Sequence, residues 1–177
     1  NSITEGFVKA LPDFFDFNHF VGRGISGQTT TQGLIRFRKD VIELGPEVVV
    51  INLGTNDVAE NTGPYDEGFT LGNLISMVEL ARANNIRVVL ASVLPASAIY
   101  WRPSVENAGD KIVSLNQSIK MVAEQYGLVY LDYHTALKNE TNGLDKEMAE
   151  DGVHPTVKCF KIMAALADEA IQMALQR

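Results

Sequence analysis

The sequence predicts an α/β fold in which a parallel sheet lies between two layers of helices. Short runs of apolar, often β-branched residues recur along the chain, which is typical of strands covered on both faces. Segments with helical periodicity separate these runs. Strict alternation of strands and helices favours a three-layer α/β/α sandwich with right-handed crossovers. In open sheets of this kind ligands bind beyond the carboxyl ends of the strands, so residues that carry chemistry should follow strands directly.

The runs and the segments between them give the predicted elements in order. Strands are predicted at 19–22, 48–53, 87–94 and 128–131. Helices are predicted at 30–44, 68–84, 110–126 and 157–175, and an apolar helical segment follows "NSITEG" at the start. Four polar or glycine-rich stretches then fall at one edge of the sheet: "NSITEG", "GRGISGQTT", "GTND" and "DGVHP".

Length, composition and charge limit the class of protein. A length of 177 residues predicts one domain, 1–177, and 46% hydrophobic residues is ordinary for a globular protein. The net charge of −7 argues against a nucleic-acid partner, which would require a basic face. No apolar run reaches the roughly 18 residues that a membrane span needs. The single cysteine, Cys159, excludes an internal disulfide.

We expect neither a metal nor a cofactor. The three histidines, His19, His134 and His154, lack the spacing of metal ligands. The chain also lacks a P-loop pattern. A non-catalytic, flavodoxin-like module that binds a phosphate or flavin remains the alternative from another class of protein.

The stretch "DGVHP" at 151–155 pairs a histidine with a carboxylate. Asp151 lies close enough in a tight turn to reach Nδ1 of His154, which would leave Nε2 free as a general base. Pro155 would preset the backbone of the first turn of the next helix. The structural alternative is that Asp151 caps the helix or forms a turn and that His154 is a surface residue.

Ser2 is the candidate nucleophile, since a serine hydroxyl attacks only when a base takes its proton. The structural alternative is a helix N-cap with a capping-box glutamate, because Ser2 and Glu5 have the required spacing. Gly27 and Asn56 are candidate donors to a developing oxyanion, through a closely approaching backbone N–H and a carboxamide. Their alternatives are a turn glycine and an Asx turn.

Four blocks of the sequence resemble those of the SGNH hydrolases, also called the GDSL esterase/lipase family. The blocks are Asn1–Gly6, which is similar to a Gly-Asp-Ser motif, Gly24–Gly27 ("GISG"), Gly54–Asp57 ("GTND") and Asp151–His154. They occur in the family's order and at its usual separations. The resemblance extends over essentially the whole chain.

The resemblance implies a flavodoxin-like sheet with strand order 2-1-3-4-5 and a set of roles. Ser2 would be the nucleophile, His154 the base and Asp151 the residue that orients the base. The Ser2 and Gly27 N–H groups and the Asn56 side chain would form the oxyanion hole.

Two departures from the family concern the start of the chain. Asn1 stands where the family usually has aspartate, and both residues can cap a helix. The family's first strand should precede Ser2, so we expect that the sequence is truncated and that the protein has an apolar strand before Asn1. A leader would also lie outside the sequence, and a secreted or periplasmic location is the favoured expectation.

The substrate is indicated only by the loop after the third predicted strand. Trp101 and Arg102 could stack on a sugar ring or bind an anionic group, and the alternative is that Trp101 packs the loop onto the core. We therefore expect a short-chain esterase that removes O-acetyl groups from a carbohydrate or a similar polar alcohol. A lysophospholipase or thioesterase of the same family is the second choice, and a homo-oligomer remains open.

Overall fold

The computed structural model describes residues 1–177 and shows an α/β sandwich with one parallel sheet. The strands are β1 (Val48–Ile51), β2 (Arg87–Ala91) and β3 (Val129–Leu131), in the order β1-β2-β3. Val49 pairs with Val88, and Val89 pairs with Val129. Three of the predicted strands are thus confirmed, and each of them lies within its predicted range.

The helices surround this sheet. They are α1 (Ser2–Ala10), α2 (Pro12–Phe17), α3 (Thr30–Asp40), α4 (Thr55–Val58), α5 (Glu67–Ala83), α6 (Ala108–Tyr126), α7 (Tyr133–Leu137) and α8 (Val157–Leu175). The four predicted helices are confirmed, α8 with its predicted bounds. The predicted helix at 30–44 divides into α3 and a 3-10 turn at Ile42–Leu44, because the chain leaves helical geometry at Val41. None of the helices combines the length and apolarity needed to cross a bilayer.

Each face of the sheet has its own apolar core. Along β2, Val88 and Leu90 pack on the side of α3, α5 and α6, whereas Val89 and Ala91 pack on the side of α1 and α8. This alternation is the pleat of a strand that is covered on both faces. Burying a side chain such as Leu90, which is fully buried, stabilises the fold by about 1.5–3 kcal/mol.

The prediction of a strand at 19–22 is wrong. The segment forms no strand pairing, because no neighbouring strand lies beside it. Between it and β1 lies an open groove of about 580 Å³, lined by Phe20, Val21 and Gly22 on one side and by β1 on the other. β1 pairs only with β2, so the sheet has three strands where the order 2-1-3-4-5 implies five. The apolar strand expected before Asn1 stays a prediction.

The carboxyl edge of the sheet carries the loops of interest. α4 follows β1, and the loop that contains Trp101 follows β2. Asn116 of α6 fixes the start of that second loop: its Oδ1 accepts from Val93 N at 2.7 Å and its Nδ2 donates to Val93 O at 2.9 Å. A buried side chain thereby satisfies backbone groups just beyond the end of β2.

Candidate active site

Ser2 is not the N-cap of α1, so its hydroxyl is free to contact other residues. Asn1 is the N-cap, and its Oδ1 accepts from Thr4 N at 3.1 Å. The capping-box interpretation of Ser2 and Glu5 is therefore wrong. Ser2 is the first helical residue, and its Oγ lies 3.0 Å from His154 Nε2. The Ser2 N–H lies in the first turn, where backbone donors have no partner within the helix.

Asp151 shapes the loop that carries His154. Its Oδ2 lies 2.6 Å from His154 Nδ1, while its Oδ1 accepts from Val153 N at 2.9 Å and from His154 N at 2.7 Å. Asp151 does not cap α8, because Thr156 is the N-cap of that helix. Pro155 precedes this cap, so it does not lie in the first helical turn as predicted. The carboxylate thus holds both the ring and the backbone of His154.

The hydrogen bonds around Asp151 keep it charged. Partial burial alone would raise the pKa of Asp151, but the bonds from the His154 backbone, the His154 ring and the Val153 backbone outweigh it and lower the pKa. An ionised carboxylate at Nδ1 favours the tautomer with hydrogen on Nδ1. The lone pair on Nε2 then faces the Ser2 hydroxyl, which is the arrangement needed to accept its proton.

The predicted oxyanion residues Gly27 and Asn56 lie together, Gly27 on the loop before α3 and Asn56 in α4. Gly27 has a φ of +77°, a left-handed conformation that glycine adopts without strain. Asn56 is 3% exposed, and its Nδ2 donates to Gln28 O at 2.9 Å. Asn61 Nδ2 donates both to Gly27 O and to Asn56 Oδ1, each at 3.1 Å. One carboxamide group thus donates to an acceptor atom of each of the two residues that are predicted to supply oxyanion donors.

The loop of Gly27 also packs on α1. A Cβ at Gly24 would lie 2.6 Å from Asn1 O and from Glu5 N, so only glycine allows this approach. Glu5 Oε2 accepts from Ser26 N at 2.8 Å. These contacts join the helix that carries the nucleophile to the loop that carries a predicted oxyanion donor.

Asp57 anchors α4 to the start of α3. Its carboxylate accepts from Thr30 N at 3.0 Å and from Thr30 Oγ1 at 2.5 Å, and Asn73 Nδ2 donates to Thr30 Oγ1 at 3.1 Å. Burial raises the pKa of Asp57, and the hydrogen bonds from Thr30 only partly oppose this effect. The network holds Asn56, the preceding residue, at a fixed place beside the Gly27 loop.

Trp101 and Arg102 lie on the loop after β2. The Trp101 ring is 45% exposed and lies 5.6 Å from the His154 ring, measured between centroids, with an interplanar angle of 33°. The neighbouring Tyr100 ring covers Gly152, where a Cβ would approach it to 2.5 Å. Arg102 Nη1 donates to Glu60 O, so the guanidinium group holds this loop to the turn after α4. A role of Arg102 in substrate binding stays a prediction.

No motif in the sequence marks Asn61, and the capping-box spacing pairs Glu5 with a different partner. The only signal for Asn61 is an asparagine five residues after Asn56, a spacing that matches no motif. Glu5 has the spacing of a capping box, but its partner Ser26 lies on a loop that only the fold brings close.

Known proteins share this sequence and architecture. The sequence model of the GDSL-like lipase/acylhydrolase family matches residues 1–161. A GDSL-like lipase from Bacteroides thetaiotaomicron is 51% identical, and its solved structure superposes with a TM-score of 0.96 over 98% of this chain and 85% of that chain.

Two further relatives are esterases by name. Esterase TesA of Pseudomonas aeruginosa is 31% identical over 164 residues, which are 87% of this chain and 72% of that protein. The acetylxylan esterase of Xylanibacter ruminicola is 28% identical over 153 residues, 76% of this chain. The match spans only 30% of the length of that acetylxylan esterase.

These comparisons support a carboxylic ester hydrolase, and the structure has the parallel sheet and flanking helices of its relatives. Because the family match extends over residues 1–161, the chain belongs to the GDSL-like lipase/acylhydrolase family.

Proposed function

We propose that the protein hydrolyses short-chain carboxylic esters, with O-acetyl groups on a carbohydrate or a similar polar alcohol as the preferred substrates. The observation that carries the proposal is the continuous hydrogen-bonded series from Ser2 Oγ to His154 Nε2 and from His154 Nδ1 to Asp151, with separations of 3.0 and 2.6 Å. A hydroxyl, an imidazole and a carboxylate in this order are the components of nucleophilic acyl transfer.

In the acylation step Ser2 Oγ attacks the ester carbonyl carbon while its proton passes to His154 Nε2. The carbonyl oxygen becomes an oxyanion that the Ser2 and Gly27 N–H groups and the Asn56 carboxamide would stabilise. The intermediate collapses when the C–O bond to the alcohol breaks and His154 returns the proton to the departing oxygen. Ser2 then carries the acyl group.

In the deacylation step water takes the place of the alcohol. His154 Nε2 accepts a proton from water as the water oxygen attacks the acyl carbon, and a second oxyanion forms in the same place. Its collapse breaks the bond to Ser2 Oγ, which regains a proton from His154, and the carboxylic acid leaves. Asp151 stabilises the imidazolium ion in both steps.

The environment of the nucleophile supports a small acyl group and a polar alcohol. The aromatic surface beside His154 is Trp101, whose exposed ring offers a face on which a sugar can stack. The similarity to a protein named acetylxylan esterase supports the same choice.

A panel of substrates tests the proposal. We expect kcat/KM to fall steadily from nitrophenyl acetate to esters of longer acyl chains, and we expect acetate release from acetylated xylo-oligosaccharides. Ser2→Ala should abolish both activities. A maximum at long acyl chains or with acyl thioesters would instead favour the lysophospholipase or thioesterase alternative. A complete lack of hydrolysis by the wild-type protein would favour a binding module.

A further inference from the structure

Asn61 lies in the turn after α4, and its carboxamide contacts both Gly27 and Asn56 of the predicted oxyanion hole. Nδ2 donates to Gly27 O and to Asn56 Oδ1, each at 3.1 Å. A carboxamide nitrogen carries two hydrogens, so each acceptor can receive its own hydrogen. A single nitrogen atom thereby joins two segments that are 29 residues apart in the sequence, counted from Gly27 to Asn56.

These bonds determine which way the Asn56 carboxamide points. Asn56 Oδ1 faces the Asn61 donor, and Asn56 Nδ2 faces the Gln28 carbonyl at 2.9 Å. Rotating the carboxamide by half a turn would put two donors together at Asn61 and two acceptors together at Gln28. Both contacts therefore disfavour the rotated form. In the observed form Nδ2 keeps one further hydrogen, which is free for the oxyanion.

The main chain holds Asn61 independently of its side chain. Asn61 N donates to Asn56 O at 3.1 Å, and Glu60 has a φ of +57°, which turns the chain back towards α4. Arg102 donates to Glu60 O from the loop after β2. Removal of the Asn61 carboxamide should therefore leave the turn in place.

We propose that Asn61 is a positioning residue for catalysis, which orients the Asn56 carboxamide and the Gly27 loop towards the developing oxyanion. The proposal rests on the proposed function, because it requires that ester hydrolysis proceed through this oxyanion hole. Asn61 acts through Asn56 and Gly27 and not by contact with the substrate. Its effect should consequently appear in kcat and not in KM.

The sharpest test is Asn61→Asp, which keeps the shape of the side chain but replaces the donor with an acceptor. The new carboxylate oxygen would repel Gly27 O and favour the rotated form of Asn56. We expect kcat for nitrophenyl acetate to fall by about 10- to 100-fold, less than the 10²- to 10³-fold loss for a removed oxyanion donor, with KM within about twofold. Asn61→Ala should lower kcat by a smaller factor.

Thr62→Ala is the matched control, because Thr62 lies in the same turn and its hydroxyl lies 3.4 Å from Thr29 Oγ1. It should keep kcat within about twofold, and thermal melting should show that all three variants fold. An Asn61→Asp variant that folds and keeps its kcat within about twofold overturns the proposal, as does a loss that lies mainly in KM.

A double-mutant cycle with Asn56→Ala separates positioning from general destabilisation. If Asn61 acts largely through Asn56, adding Asn61→Ala to Asn56→Ala should cost less than about threefold in kcat, below its cost in the wild type. Multiplication of the two losses would show that Asn61 does not act through Asn56 and would overturn the proposal that it orients that carboxamide. The proposed function fails separately, through an inactive wild type or an active Ser2→Ala variant, so the two failures are distinguishable.

Discussion

The two halves of the candidate site are built differently. The relay, which comprises Ser2, His154 and Asp151, is held by two side-chain hydrogen bonds, and the side chains of His154 and Asp151 are 44% and 48% exposed. The oxyanion loops, which comprise Gly27–Gln28 and Asn56, are held by carboxamide and carboxylate bonds around a residue that is 3% exposed. The relay must gain and lose protons, whereas donors to an oxyanion stabilise it best when they need no reorganisation.

This difference predicts how each half responds to substitution. Exposed relay side chains contribute chemistry but little packing, so their removal should lower activity and reduce the stability of the fold less than removal of a buried residue does. Buried members of the oxyanion loops satisfy other buried polar groups, so their removal should also lower stability.

The largest effect is expected at Ser2. Ser2→Ala removes the only hydroxyl that faces His154 Nε2, and kcat should fall by at least about 10³-fold, while the melting temperature stays close to that of the wild type. Ser26→Ala, at an exposed serine on the neighbouring loop, is the control and should retain activity. Retention of more than about a tenth of wild-type kcat in Ser2→Ala would exclude Ser2 as the nucleophile.

Asn56→Ala should lower kcat by about 10²- to 10³-fold with little change in KM, because this contact strengthens as the oxygen becomes charged. Unlike Ser2→Ala, it should also reduce the free energy of unfolding by about 1–3 kcal/mol, since Gln28 O and Asn61 Nδ2 lose a buried partner. Urea denaturation measures the second effect. Equal stability of the Ser2 and Asn56 variants would break the comparison between the two halves.

Asp151→Asn should lower kcat by about 10- to 10³-fold, because the amide permits the wrong tautomer of His154. The pH dependence is informative here. Since the pKa of Asp151 is lowered in the folded state, its stabilising contribution is present above the ordinary carboxyl value and is lost as pH falls through the lower, folded value. The wild type should therefore keep this contribution throughout mildly acidic conditions, and a loss above pH 5 in denaturation experiments would contradict it.

Trp101→Ala should affect binding and not chemistry. If a sugar stacks on the ring, KM for an acetylated oligosaccharide should rise by about three- to tenfold, corresponding to about 0.5–1.5 kcal/mol, while kcat/KM for nitrophenyl acetate changes less. Trp101→Phe is the matched variant and should restore most of the affinity. Equal losses with both substrates would mean that Trp101 acts by packing on His154.

The smallest effect concerns Asp57, below the oxyanion loops. Its pKa is raised in the folded state, so the folded protein binds this proton more tightly than the unfolded chain does. Stability from this group is therefore present below the ordinary carboxyl value and is lost as pH rises to the raised value. The difference in unfolding free energy between the wild type and Asp57→Asn should decline over that interval and be constant at higher pH. A difference in unfolding free energy that increases with pH would contradict this prediction.

The sequence was informative where chemistry depends on local spacing. Asp151 and His154 are three residues apart, and their contact forms within one turn, so the pattern predicts it. The helices were predictable because their apolar residues recur with a helical period, and the three strands because they are continuous apolar runs. The assignment of 19–22 as a strand failed because a strand requires a paired neighbour, which composition does not show.

The supports of the oxyanion loops were not predictable for the same reason. Asn61 and Gly27 are separated by 34 in residue number, and Glu5 and Ser26 by 21. Such contacts depend on how the helices pack. The sequence around a polar residue in a turn does not indicate which distant residue it will contact. The capping role of Asn1 was likewise decided by the exact start of α1, which spacing alone does not determine.

The most direct test of the account is covalent labelling of the nucleophile. After incubation with a fluorophosphonate, intact mass and peptide mapping should show one adduct per chain, located on Ser2 and absent from Ser2→Ala. His154→Ala, which removes the base 3.0 Å away, should label far more slowly. A wild-type protein that hydrolyses esters while Ser2 stays unlabelled, or that carries its adduct on another residue, would contradict the assignment of Ser2 and His154.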